Sequence, residues 1–164
     1  MKKQLNKNLI ERFSRQIILK NIGTLGQKKI LSSKVLIIGA GGLGCPAAEF
    51  LTRAGIGKLG IIDYDKVNLS NLHRQSLYTK EDIGKSKVLI IKKILNRINP
   101  NTKVQTYNLK LNNINFKKII NKYDYIIDGS DNFKTKFLLN DFCFKYKKFL
   151  VLGAISKFDG HIFS

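Results

Sequence analysis

The sequence predicts an α/β domain built on a doubly wound, mainly parallel sheet with helices on both faces. Three observations carry the prediction. Apolar runs of strand length alternate with stretches of helical periodicity along the chain. The clearest run, Val35-Leu36-Ile37-Ile38, is continuously apolar, as a strand covered on both faces must be. Acids stand at the ends of such runs, with Asp63 after Leu59-Gly60-Ile61-Ile62 and Asp128 closing Tyr125-Ile126-Ile127, and ligands of such sheets gather at the carboxyl ends of the strands.

Taken in order, Leu9, Ile10, Phe13, Ile17 and Ile18 repeat at helical spacing, which predicts one amphipathic helix over about residues 8–20. Gly23 interrupts it, and a short helix through Leu25 to Leu31 completes a helical extension at about 8–33 ahead of the first strand. That strand, Val35 to Ile38, runs into Gly39-Ala40-Gly41-Gly42-Leu43-Gly44, in which Gly39, Gly41 and Gly44 have the spacing G-x-G-x-x-G. In this arrangement the first glycine permits a tight turn, the second lets a phosphate approach the backbone, and the third lets a helix pack closely. The free N–H groups and positive dipole end of the helix then face the phosphate. Ala47, Ala48, Phe50, Leu51 and Ala54 supply that helix with an apolar face, and the second strand ends at Asp63, about 20 residues on, where Rossmann-like folds accept a ribose hydroxyl.

Residues 64–75 form a polar connection far longer than a β-α turn requires, and long loops at strand tips usually carry function. Lys87, Val88, Ile91, Leu95 and Ile98 mark a helix stopped by Asn99-Pro100. A third strand over Lys103 to Tyr107, a helix around Ile114 to Ile120, a fourth strand over Tyr125 to Asp128, a helix from Phe133 to Tyr146 and a fifth strand over Phe149 to Leu152 follow. Gly160 to Phe163 forms a last antiparallel or edge strand. No repeat, low-complexity linker or domain boundary interrupts the chain, so residues 1–164 read as a single domain.

Thirty Lys and Arg against 11 Asp and Glu give a net charge of +19, which attracts polyanions over long range. The excess is lysine scattered among Asn and Ile on helix faces, and no nucleic-acid-binding signature accompanies it, so no specific nucleic-acid partner is expected. No apolar run approaches the ~20 residues of a membrane span and the first residues lack a signal-peptide core, which predicts a cytoplasmic protein, or a stromal one were it plastid-encoded. Two cysteines, Cys45 and Cys143, build neither a disulfide framework nor a four-cysteine zinc site. Cys45 opens the helix after the glycine loop, where a thiolate is favoured, yet the position demands a small packing residue, and packing is the preferred reading.

The motifs Arg12-Phe13-Ser14-Arg15-Gln16, Gly39 to Gly44, Asp63-Tyr64-Asp65, Ser70-Asn71-Leu72-His73-Arg74-Gln75, Ile83-Gly84-Lys85-Ser86-Lys87 and Asp128-Gly129-Ser130-Asp131-Asn132 closely resemble those of the ThiF/MoeB/HesA superfamily, bacterial relatives of the ubiquitin-activating enzymes. The resemblance runs in order over nearly the whole chain. It implies a homodimeric adenylating enzyme that uses Mg-ATP to activate the C-terminal glycine of a ubiquitin-like sulfur-carrier protein, in thiamine or molybdopterin synthesis, with release of pyrophosphate. It further implies catalytic roles for Arg15, Arg74, Lys87 and Asp131: Arg74 and Lys87 as cations around the phosphates, Arg15 reaching into the partner's site, and Asp131 holding Mg²⁺. Nucleotide contacts are implied for Gly39, Gly41, Gly42, Gly44, Asp63, Asp65, Ser70, Asn71, Leu72, His73, Arg74, Lys87, Asp131 and Asn132. Relatives usually continue with a crossover segment, a thiol-forming cysteine in many branches and often two zinc-binding Cys-x-x-Cys pairs. For these 164 residues the expectation is therefore adenylation at most, without zinc or a thioester.

Each residue also has a blander reading. Asp131 could cap the helix at Phe133, Lys87 could be one more surface lysine, and Arg74 could pair with Asp65. Two rival functions share parts of the pattern. An NAD-dependent oxidoreductase shares the glycine loop and strand-tip acid but leaves Arg15, Arg74, Lys87 and Asp131 idle, and a non-catalytic remnant would fold, dimerise and bind ATP without chemistry.

Overall fold

The computed structural model describes residues 5–164. Six strands form one sheet: β1 (Lys34–Ile38), β2 (Lys58–Ile62), β3 (Lys103–Tyr107), β4 (Tyr125–Asp128), β5 (Phe149–Ser156) and β6 (Asp159–Phe163), in the spatial order β3-β2-β1-β4-β5-β6. The first five are parallel, and β6 folds back antiparallel on β5. The connecting helices are α4 (Gly44–Arg53), α5 (Lys87–Ile98), α6 (Asn113–Ile120) and α7 (Phe133–Lys145).

β1 shows why its run is apolar throughout. Val35 and Ile37 face a core with Ala48 of α4 and Val88, Ile91 and Leu95 of α5. Leu36 and Ile38 face the opposite core with Phe116, Ile119 and Ile120 of α6 and Leu139 of α7. Alternate side chains of a strand point to opposite faces, so a sheet wound on both sides needs apolar residues at every position. Strand order reverses between β1 and β4, which are neighbours in space although β2 and β3 intervene in the chain. Such a reversal opens a crevice at the carboxyl ends of the strands, and the glycine loop stands there.

The leading segment differs from the single helix expected. It forms α1 (Lys7–Arg12) and α2 (Ser14–Ile17), broken at Phe13, before α3 (Gly23–Ser32). Phe13 is buried, and its ring occupies the space that a side chain on Gly55 would need. Arg12 turns away to donate to the Ile98 carbonyl at the end of α5, 2.7 Å distant. A helical periodicity cannot register a partner 42 positions away, and the ring's seat under Gly55 sets where the helix breaks. The other elements lie within a few residues of expectation. β5 continues to Ser156 because β6 pairs back along it, Leu152 opposite Phe163 and Ser156 opposite Asp159.

Across the β4–β5 edge runs a buried ion pair that the sequence pattern did not single out. Asp128, 1% exposed, receives the Lys136 ammonium of α7 at 2.7 Å, and the same ammonium donates to the Gly153 carbonyl of β5 at 2.8 Å. The second carboxylate oxygen of Asp128 accepts the Ser130 N–H at 2.8 Å, which shapes the turn after β4. Removing one partner of a buried pair strands the other's charge. Lys136→Met is therefore expected to cost about 3–5 kcal/mol of unfolding free energy, against a much smaller loss for Lys136→Arg, as read by urea denaturation.

Candidate functional site

The crevice is organised by the peptide unit of Ala40. Its N–H donates to Asp63 Oδ2 at 2.7 Å, and its carbonyl accepts the Tyr78 hydroxyl at 2.9 Å and the Cys45 thiol at 3.5 Å. The other oxygen of Asp63 accepts the Asp65 N–H at 2.7 Å. A carboxylate offers about four acceptor positions, so Asp63 keeps capacity for further donors while it ties β2 to the loop after β1. Tyr78 was missed by sequence reasoning, since a tyrosine in a polar connection carries no motif.

The four glycines divide into two kinds. Gly39 has a φ of +92°, and a Cβ there would stand 2.9 Å from the Gly129 carbonyl of the turn after β4. A Cβ on Gly44 would collide with the Gly39 carbonyl. Fold geometry alone requires glycine at both. Gly41 and Gly42 have no left-handed backbone, and the nearest atoms to a Cβ there are Gln75 Nε2 at 3.8 Å and Arg74 Cγ and Cδ at 3.6 Å, ordinary contact distances. Neither backbone conformation nor packing therefore requires glycine at these two positions.

The long connection after β2 folds over this loop. Short 3₁₀ turns at Leu69–Asn71 and Lys80–Asp82 shape it, and Asn71 Oδ1 accepts the Asn68 N–H at 3.2 Å. Leu72 packs on the α4/α5 core, while Ser70 and His73 are exposed. Arg74 lays its stem against Gly42 and donates from Nη1 to the Ser70 carbonyl at 3.0 Å, with His73 Nε2 3.5 Å away.

The expected alternative pairing of Arg74 with Asp65 does not occur. Asp65 Oδ2 instead takes the Lys87 ammonium at 3.1 Å, and its carbonyl accepts the Lys87 N–H at 3.1 Å. Lys87 is 4% exposed, so it is no ordinary surface lysine. It also lies near Cys45: burial pushes that thiol up to about 11, against an opposing pull from hydrogen bonding and the lysine charge. Burial likewise pushes Cys143 up to about 11. Both thiols are protonated near neutrality, which removes them as ready nucleophiles.

Asp131 does not cap α7. Asn132 does, accepting the Thr135 N–H at 2.9 Å, which leaves the exposed Asp131 carboxylate with a single 3.5 Å contact to Asn132 Nδ2. Among the described residues no three His, Cys, Asp or Glu side chains converge as a metal cage. A lone exposed carboxylate is compatible with Mg²⁺, which binds through one or two carboxylates with other oxygen ligands completing its shell.

Arg15 stands apart from these residues. Its neighbour Gln16 donates to the Ala54 carbonyl at 3.2 Å and to Gln27 at 2.7 Å. Ala54 closes α4 at the end remote from the glycine loop, and α4 has 10 residues, hence a length of about 15 Å. No helix of the described residues is long and apolar enough to cross a membrane.

Comparison with known proteins agrees with this geometry. The chain is 45% identical over 97% of its length to "Adenylyltransferase and sulfurtransferase MOCS3" of Aedes aegypti and 43% identical over 95% to "Sulfur carrier protein adenylyltransferase" of Thermus thermophilus. It spans 36% and 58% of those two relatives respectively. A solved structure of Escherichia coli tRNA N6-threonylcarbamoyladenosine dehydratase, TcdA, in complex with ATP superposes with a TM-score of 0.87 at 26% identity, covering 96% of this chain and 65% of that one. The ThiF family profile matches residues 13–164, and the chain belongs to the ThiF family.

Proposed function

We propose that this crevice binds Mg-ATP and adenylates the C-terminal glycine of a ubiquitin-like sulfur-carrier protein. The observation that supports the reading is that Gly41 and Gly42, unlike Gly39 and Gly44, are required by neither backbone conformation nor packing, since a Cβ there would make only ordinary contacts with Gln75 and Arg74. Among the described residues the N–H groups of Gly41, Gly42, Leu43 and Gly44 have no hydrogen-bond partner, and a phosphate is the group such a turn accepts. The similar Thermus protein is named for sulfur-carrier adenylation, and the similar dehydratase was solved with ATP.

In this reading a carboxylate oxygen of the carrier attacks the α-phosphorus, the bond to the oxygen bridging the α- and β-phosphates breaks, and pyrophosphate leaves with that electron pair. Charge grows on the leaving oxygens, so fixed cations supply most of the assistance. Lys87, already desolvated and held by Asp65, and Arg74, turned over Gly42, are placed for this. Asp63 orients the ribose through its spare acceptor positions, with Asp65 as support, and Asn71 helps place the phosphates. Asp131 would hold Mg²⁺, which when bound would supply charge stabilisation to the phosphates. The carboxylate nucleophile needs no general base.

Arg15 fits the reading only across a dimer. It sits beside the far end of α4, and a second copy of the chain would have to bring it to the phosphates.

The glycines provide the first test. Gly41→Ala and Gly42→Ala are expected to leave thermal stability almost unchanged while lowering Mg-ATP affinity in titration calorimetry, whereas Gly44→Ala lowers the melting temperature itself. Equal ATP binding by all three would reject a phosphate over Gly41 and Gly42. The second test is Mg-ATP–pyrophosphate exchange with a glycine-ended carrier, expected in the wild type and reduced at least about 100-fold in Lys87→Ala and Asp131→Ala, as loss of transition-state charge stabilisation implies. Exchange that persists unchanged in both variants refutes the assignment. The third mixes Arg15→Ala with Asp131→Ala protein: hybrid dimers carrying one intact site regain exchange if Arg15 acts in trans, and absence of recovery despite measured subunit mixing places Arg15 outside the site.

A further inference from the structure

α7 is apolar on two sides. Leu139 and Cys143 are buried, with Leu138, Phe142 and Tyr146 packed beside them, so one side of the helix fills the core beneath it. Phe133, Phe137 and Phe144 follow each other at spacings of four and seven residues, which puts them in one stripe on the opposite side. They are 77%, 67% and 87% exposed, and the first two have ring centroids 6.5 Å apart. α6 enters the same core through Phe116, whose ring lies 5.3 Å from that of Phe142, and it turns Ile114, Lys117 and Lys118 outward. Both helices cover one face of the sheet, so their outward sides make one surface. Lys134 and Lys145 are exposed on α7 as well, and Asp141 is the only acid on either helix.

We propose that this outer surface of α6 and α7 docks on an anionic lipid surface, the phenylalanines and Ile114 entering the headgroup region and the lysines pairing with acidic headgroups. Exposed apolar side chains that are contiguous and rimmed by charge mark an interaction surface. Its shape favours lipid: the rings project as a row from one helix and Ile114 projects from the next, and a planar bilayer meets both at once, where a protein would need a matching pocket for each. Its charge favours lipid too. Lys117, Lys118, Lys134 and Lys145 face a single aspartate, and the whole chain carries +19, so a second copy is repelled while an anionic leaflet is attracted. The residue types complete the match, since rings enter the acyl boundary while lysine stems carry their ammonium groups back to the headgroups. Such a peripheral association requires no spanning helix.

Sedimentation of the full chain with phosphatidylcholine vesicles, with and without about 30% phosphatidylserine, measures the association. Wild-type protein is expected on the acidic vesicles and not on the neutral ones. Joint replacement Phe133→Ser, Phe137→Ser and Phe144→Ser keeps the charge and is expected to weaken that binding at least about tenfold, without lowering the melting temperature, because the rings are exposed. The matched control, Phe149→Ser with Phe158→Ser and Phe163→Ser, removes as many exposed rings from the β5–β6 hairpin and is expected to change binding less than about twofold. The chain has no tryptophan, so Phe144→Trp gives a second readout: its emission moves to shorter wavelength on acidic vesicles, and that of Phe158→Trp does not. No binding to acidic vesicles, undiminished binding by the first triple variant, equal losses in both triple variants or an unshifted Phe144→Trp spectrum overturns the proposal. A wild-type dimer that the first triple variant dissociates also overturns it, by assigning this face to a second copy of the chain.

Discussion

The clamp on the Ala40 peptide is the constraint on which the rest of the site depends. A loop whose N–H groups stay free for a ligand is disfavoured locally, because unpaired backbone donors prefer partners of their own. Asp63 holds the N–H of Ala40 while Tyr78 and Cys45 hold its carbonyl, so the chain on either side has little freedom to rotate. The clamp draws on three places in the sequence: the tip of β2, the long connection beyond it and the first turn of α4. Sheet register fixes the remaining wall. Ile38 stands opposite both Ile62 and Asp128, which places the turn after β4 against Gly39. A one-residue slip of either neighbour would move the clamp or that wall out of reach.

Lys87 is an electrostatic oddity that the site explains. It is the first residue of α5, where the helix dipole disfavours a cation, and it is almost completely buried, which also disfavours charge. A single exposed carboxylate, Asp65, offsets both. Positive potential is thereby concentrated beside the glycine loop and is only partly neutralised within the protein. In the proposed reading a polyphosphate of opposite charge would complete the compensation. The scattered surface lysines behind the net charge of +19 are screened by salt at distances beyond about 10 Å and do not substitute for a cation in this position.

Legibility in the sequence followed the range of the interaction. Elements governed by local pattern came through: the uninterrupted apolar run of β1, the stop at Asn99-Pro100, and the glycine spacing that ends a strand and begins a helix. The break at Phe13 did not, because the ring's seat under Gly55 is a tertiary contact. Site residues followed the same rule. Motif residues such as Asp63, Arg74 and Lys87 could be picked out, but the pairing of Asp65 with Lys87 instead of Arg74 required the folded loop. Tyr78 and Lys136 had no local signal, since a buried tyrosine or lysine in a chain rich in polar residues resembles any other until its surroundings are known.

The two ends of the sheet handle buried polar groups in opposite ways. At the amino ends, Thr102 donates to the Ile56 carbonyl, Asn99 to Thr52 and Gln27 to Ala54, while Thr52 Oγ1 is without a partner there. At the carboxyl ends, Gln75, Ser86 and Ser130 keep atoms without partners. Each such atom costs about 1–3 kcal/mol relative to a satisfied or apolar alternative, an amount comparable with a sizeable part of a domain's net stability. Three of them around one loop would be a poor solution for folding alone. More of the unpartnered atoms lie at the carboxyl ends, and that end also holds the two glycines that packing does not require and the desolvated lysine. The same asymmetry bears on Arg15: its neighbour Gln16 is anchored to Gln27 and Ala54 among the satisfied groups at the amino ends, so in the proposed reading its part in nucleotide chemistry would fall in the crevice of another copy.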